Sequence, residues 1–178
     1  NREQRTENGA LIDDFRQGRL TLTKPTVLFN DRLTLDLGDL TLHLIYFGRA
    51  HTTSDLIVHV PELRLLAVGD LFGATWFPGF RPSADVTRWF RVLDGLPTGA
   101  EAIERVVTGH DDPMTGDQLR AQAAYLRGVW DGVAAARRDG LTLAATRARL
   151  PFEGKHPALA GLDRIWEGRD MHLVNVDE

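Results

Sequence analysis

Three times in this 178-residue chain a short apolar run stops at a glycine, and a histidine or an aspartate follows within three positions. Leu40 to Phe47 breaks at Gly48 and reaches His51 within a polar turn of Arg49, Ala50, Thr52, Thr53 and Ser54. Leu63 to Val68 breaks at Gly69 and Asp70, and Ile103 to Thr108 breaks at Gly109 and His110. Short runs rich in branched residues, bounded by turn residues, predict β-strands. Side chains along a core strand are committed to packing, whereas glycine-loosened strand ends can present groups to a ligand. Two imidazoles and one carboxylate gathered in this way suit zinc or a neighbouring divalent transition metal. Their separations, 19 and 40 residues, say little, because each group comes from a different strand. Taken singly, each histidine reads as a surface or capping residue; the shared pattern is what joins them.

Short strands and amphipathic helices surround these ends. Asn1 to Gly18 carries Leu11, Ile12 and Phe15 at helical spacing, with Gly18 as a stop. Residues 20–37 hold two short strands, LTL and RLTLDL, and Gly38-Asp39 turns the second into 40–47, predicting a hairpin over 32–47. Leu56 to Val60 is a further strand, stopped by Pro61-Glu62. His43 and His59 fall inside strands, where a packed or solvent-facing imidazole is expected rather than a ligand. The loop from Phe72 to Pro82 is broken by glycine and proline and carries Phe72, Trp76, Phe77 and Phe80. Beside a metal, Trp76 and Phe77 would form an apolar substrate wall; otherwise these aromatics plug the core.

Pro82-Ser83 opens a helix, with Ser83 as N-cap, Asp85 in the first turn, Val86, Trp89, Phe90 and Leu93 on one face, and Gly95 at the end. Asp111 and Asp112 are placed either to accept from the His110 imidazole or to cap the turn at Pro113. Asp117 to Asp139 predicts a long amphipathic helix with Leu119, Ala123, Leu126, Trp130 and Val133 on its packed stripe. Leu143 to Leu150 is a short helix, and Pro157 opens a last one through Leu159, Leu162 and Trp166. Met171 to Val176 is apolar enough to pack against another element or a second copy, the basis for expecting a homodimer. His156 and His172 have no matching partner and are left outside any site.

Composition narrows the chemistry. A hydrophobic content of 43% with four tryptophans fits one globular domain with a real core. The net charge of −4 is spread along the chain, so neither a nucleic-acid patch nor a charged tail is expected. Without cysteine, a metal here must be held by nitrogen and oxygen. No run approaches 18 apolar residues, so no membrane contact is expected. Both a cytoplasmic and an exported compartment remain open.

The stretch GRAHTTSDLIVHVPELRLLAVGDLF, followed by VVTGHDD, resembles the metallo-β-lactamase superfamily, whose second half carries a G-x-x-H-T-x-G-D turn, a strand pair, a G-D and a late G-H. The resemblance covers roughly residues 1–140. It implies an α+β fold, the four-layer αββα sandwich, of which this chain is the incomplete C-terminal part. It also implies a single domain over 1–178, with 141–178 as a helical extension. By the same resemblance His51 matches the third histidine of a first metal site, Asp70 the carboxylate bridging two metals, and His110 a histidine of a second site. Asp55, with Thr52, matches supporting residues behind the ligands. The implied cofactor is zinc, one or two ions, with iron or manganese as alternatives, and the implied partner is a small-molecule substrate.

Two departures accompany the match. Ser54 stands where glycine is usual, and Asp111 where another glycine is common. The family's H-x-H-x-D-H signature is absent, since no two of the six histidines lie two apart. The simplest expectation is that the chain begins after that motif and carries only part of a hydrolase site. Against it stands a member that has lost catalysis and serves as a packing or partner-binding module. An iron-binding redox relative is a third reading.

Overall fold

The computed structural model describes residues 2–21, 23–80, 84–166 and 168–177. The chain divides into two compact units, Asn1–Asn30 and Asp31–Glu178. The first holds helix α1 (Arg2–Arg16), with Leu11, Ile12 and Phe15 of its predicted apolar stripe exposed. The LTL run expected as a strand is coil at Leu20 and Thr21; residue 22 lies outside the described residues.

The second unit is built on one six-stranded sheet: β1 (Arg32–Asp36), β2 (Thr41–Gly48), β3 (Asp55–Val60), β4 (Leu65–Gly69), β5 (Arg105–Thr108) and β6 (Met114–Thr115), in that spatial order. The first four strands meander antiparallel, and the predicted hairpin over 32–47 is β1–β2. β5 then returns parallel to β4 after a crossover through α2 (Val86–Asp94), and β6 pairs antiparallel with β5. The ends of β2, β4 and β5 therefore emerge at one edge of the sheet, together with the start of β3.

Register separates two faces. One cross-strand row reads Thr34, His43, His59, Leu66, Val106 and Met114, and its last three members are buried core. Phe47, Ile57 and Val68 continue that core with Trp89 and Phe90 of α2 and with Leu119, Leu126 and Val129 of α3 (Gly116–Arg138). The opposite row, Leu33, Leu44, Val58, Ala67 and Val107, has no buried member, and Val107 is 40% exposed. Two of the four expected layers, one sheet and one helical layer, are thus visible in the described residues.

The helices mostly follow their sequence signals. Asp85, expected in the first turn, is the N-cap of α2, accepting from Arg88 N–H at 2.9 Å; the expected cap, Ser83, lies outside the described residues. Thr115 and Gln118 form a capping box at the start of α3. Its buried stripe is rotated from the expected one. Gln122 and Tyr125 are inside, whereas Trp130 is 42% exposed and rests edge-on against Phe80 and Phe90. After α4 (Leu143–Arg149) the expected last helix is replaced by a single 3-10 turn, Pro157–Leu159, and a small hairpin, β7 (Ile165–Trp166) with β8 (Arg169–Asp170). The cause is backbone pairing elsewhere: Asp163 N–H donates to Thr75 O at 2.7 Å, and Phe77 N–H donates to Asp163 O at 3.1 Å. Helix α5 (Met171–Asp177) buries His172, Asn175 and Val176 within the chain.

Candidate metal centre

His51 is carried by the β2–β3 connection, and α2 holds that connection from one side. Gly48 has φ +106°, and a Cβ there would lie 2.7 Å from Cδ of Arg88. Only glycine lets the strand turn under that side chain. Arg88 donates to the Tyr46 carbonyl at 3.0 and 3.2 Å and to Asp31 at 2.9 Å. The Arg49 carbonyl accepts from Asp85 N–H at 2.7 Å and from the Trp89 indole at 3.2 Å. From the other side, the Asp55 carboxylate accepts from Thr52 N–H at 2.7 Å and from the Thr52 hydroxyl at 2.9 Å. Asp55 and Thr52 therefore brace the turn that follows His51.

The parallel β4–β5 pair supplies the other two groups. Gly109 N–H donates to Gly69 O at 2.9 Å, which ties the two strand ends together. A Cβ on Gly109 would fall 2.0 Å from Asp70 Oδ1, so the missing side chain is what admits the carboxylate. Asp70 then stands between the imidazoles, with Oδ1 at 3.3 Å from His110 Nε2 and Oδ2 at 3.8 Å from His51 Nδ1. The three residues predicted from the strand ends are brought together.

The second distance is too long for a hydrogen bond. His51 Nδ1 is sealed from solvent and has no partner. A buried, unpaired imidazole nitrogen facing a carboxylate across a gap, beside a glycine-made cradle, fits a cation that both would bind. His110 contributes from the open side, its side chain 77% exposed against 32% for His51 and 34% for Asp70. Among the described residues, no group of three His, Cys, Asp or Glu side chains is assembled closely enough to hold an ion alone.

The neighbouring loop departs from expectation. Asp111 does not serve the His110 imidazole; its carboxylate accepts from Thr75 N–H at 3.0 Å and from the Thr75 hydroxyl at 2.7 Å. Those bonds hold its pKa below the usual carboxylate value. Phe77 is no wall, since it is buried edge-on between Tyr125 and Phe152, and Phe80 is buried too. Trp76 is half-buried, with its indole packed against Gly73, whose carbonyl accepts from Gln122 at 2.7 Å. Thr75 and Arg88, which anchor the loops around the site, carried no signal in the sequence; their partners lie 36 and 42 residues away.

No protein-family model matches the chain. A metallo-β-lactamase type 2 from Bacteroides fragilis is 31% identical over 86 residues, 47% of this chain and 34% of that protein. The solved structure of a double mutant of the sec-alkylsulfatase PisA1 matches with a TM-score of 0.61 over 88% of this chain, at 18% identity. The stereoselective inverting sec-alkylsulfatase Pisa1 from Pseudomonas sp. matches with a TM-score of 0.60. Over part of its length the chain is similar to a metallo-β-lactamase in sequence and to alkylsulfatases in fold. It spans about a third of the curated superfamily relative and 26% of each alkylsulfatase chain. The sheet and helices that bring His51, Asp70 and His110 to one edge share the fold of those alkylsulfatases over part of its length.

Proposed function

We propose that this chain supplies His51, Asp70 and His110 to a metal-dependent hydrolase of the metallo-β-lactamase superfamily, with the remaining ligands coming from a segment that carries the H-x-H-x-D-H signature. The observation that carries the reading is the Asp70 carboxylate set between two imidazoles, one of them with a buried and partnerless nitrogen. A divalent ion held there, zinc by the nitrogen and oxygen donors, supplies Lewis acidity and lowers the pKa of water towards neutrality. Asp70 has a free oxygen towards each imidazole, which suits a carboxylate shared between two cations. Asp55, through Thr52, keeps the His51 turn in place, and Asp111, through Thr75, fixes the loop beside His110. The substrate class follows the superfamily's acyl and phosphoryl chemistry: an ester, thioester, lactone, lactam or phosphoester.

One observation favours a second reading, a non-catalytic module. Among the described residues no group of three His, Cys, Asp or Glu side chains is assembled closely enough to hold an ion. A single experiment separates the two. Elemental analysis of the full-length protein should find about two equivalents of metal for the hydrolase and none for the module. Asp70→Ala and His51→Ala should then lose metal and hydrolysis of an ester and lactone panel together. Full activity in both variants would overturn the assignment of His51 and Asp70 as metal ligands.

A further inference from the structure

His43 on β2 and His59 on β3 stand opposite each other in the sheet register, so their side chains leave the same face. Their ring centroids are 5.9 Å apart with planes inclined at 36°. His59 is 7% exposed, and its Nε2 is sealed from solvent with no hydrogen-bond partner. His43 Nδ1 lies 3.0 Å from the Thr34 hydroxyl. With that hydroxyl accepting, the proton sits on Nδ1 and the lone pair is left on Nε2.

We propose that His43 and His59 form a two-imidazole site for a late divalent transition ion, Cu2+ or Zn2+, separate from the centre at the strand ends. At metal–nitrogen distances of about 2.0–2.1 Å, two imidazoles on one ion hold their ring centroids roughly 5 to 6.5 Å apart, which brackets the observed pair. An all-nitrogen donor pair selects copper, nickel or zinc over magnesium or calcium. The site also keeps His59 in the neutral form that ligation requires. Burial, the neighbouring His43 and the Arg32 guanidinium all favour neutral His59, while Glu62 opposes them. Glu62 accepts from Thr41 N–H at 3.1 Å and lies within electrostatic range of both rings. Bound there, the ion clips β2 to β3 beside the β1 edge. Five residues of strand separate His43 from Gly48, about 16 Å at 3.3 Å per residue, so the two centres share no ligand.

The test titrates Cu2+, then Zn2+, into the full chain carrying Asp70→Ala and His110→Ala, which silences the strand-end centre. One equivalent should bind, with the ring protons of His43 and His59 shifting in NMR spectra and those of His156 and His172 unmoved. Adding His43→Gln or His59→Gln should weaken binding about tenfold or more. If His59→Gln does not fold, the half-buried His43→Gln carries the comparison. Absence of binding in the silenced background, or unchanged affinity in His43→Gln, overturns the site. Neither outcome bears on hydrolysis at the strand ends.

Discussion

At the residue scale, the centre is a matter of which atoms are missing. Gly109 lacks the Cβ that would meet Asp70 Oδ1 at 2.0 Å, and Gly48 lacks the one that would meet Arg88. His51, Asp70 and His110 were legible in the sequence because glycine before a polar residue at a strand end is a local signal. That His51 Nδ1 is buried and partnerless was not legible, because burial of a loop side chain depends on long-range packing, and the loop itself is held by Trp89 and Arg88 through the Arg49 and Tyr46 carbonyls. Gly109→Ala is the sharpest test of the cradle. The added methyl must displace the carboxylate or the Gly69 backbone, 3.1 Å away, so overpacking should cost about 1–3 kcal/mol. The ion affinity of the full-length protein should fall more steeply than that of a surface control such as Gly128→Ala, where a Cβ meets nothing within 4 Å. Isothermal titration of zinc against both variants, with thermal unfolding alongside, reads both effects; equal affinities would show that the carboxylate needs no cradle.

At the element scale, strands and capped helices were readable, and the stretch after α4 was not. The expected helix through Leu162 and Trp166 loses to a backbone bridge between Asp163 and the Thr75–Phe77 segment, a long-range pairing with no local signature. The same segment decides what α5 does. Asn175 accepts from Phe80 N–H at 2.8 Å and donates to Pro78 O at 2.9 Å and to the Tyr125 hydroxyl at 3.0 Å. The Tyr125 hydroxyl in turn lies 3.0 Å from His172 Nδ1, and burial pushes the phenol pKa well up. One amide therefore ties α5, α3 and the aromatic loop together, with Phe77 and Phe80 in the core. Asn175→Ala should destabilise the chain by about 2–6 kcal/mol, because two buried backbone groups lose partners at roughly 1–3 kcal/mol each. Urea unfolding with an unchanged m-value checks it. A loss below about 0.5 kcal/mol would mean the loop does not depend on α5.

At the scale of the whole molecule, the sheet was foreseeable from alternation, but which face would be covered was not. The row through Leu66 and Val106 and the row through Ala67 and Val107 are similarly apolar in sequence; only the helices following β4 and β5 distinguish them. Burial on the covered side sets the molecule's response to acid. His59 and His156 both have pKa values lowered from 6.5, each mainly by burial, with His43 and Arg32 adding to the first and His172 to the second. In the unfolded chain these imidazoles take up protons near pH 6.5, while in the folded chain they resist until lower pH. The unfolded state therefore binds more protons in that window, and stability rises with pH through it. Acidification from about pH 7.5 to 5 should progressively lower the unfolding free energy, well above the range where Glu62, Asp111 and Glu153 titrate. His59→Gln removes one of the two groups and should flatten the slope over that interval, whatever it does to stability at neutral pH. Denaturant midpoints measured across the interval for both proteins decide the matter, and parallel curves would exclude His59 as a source of the acid sensitivity.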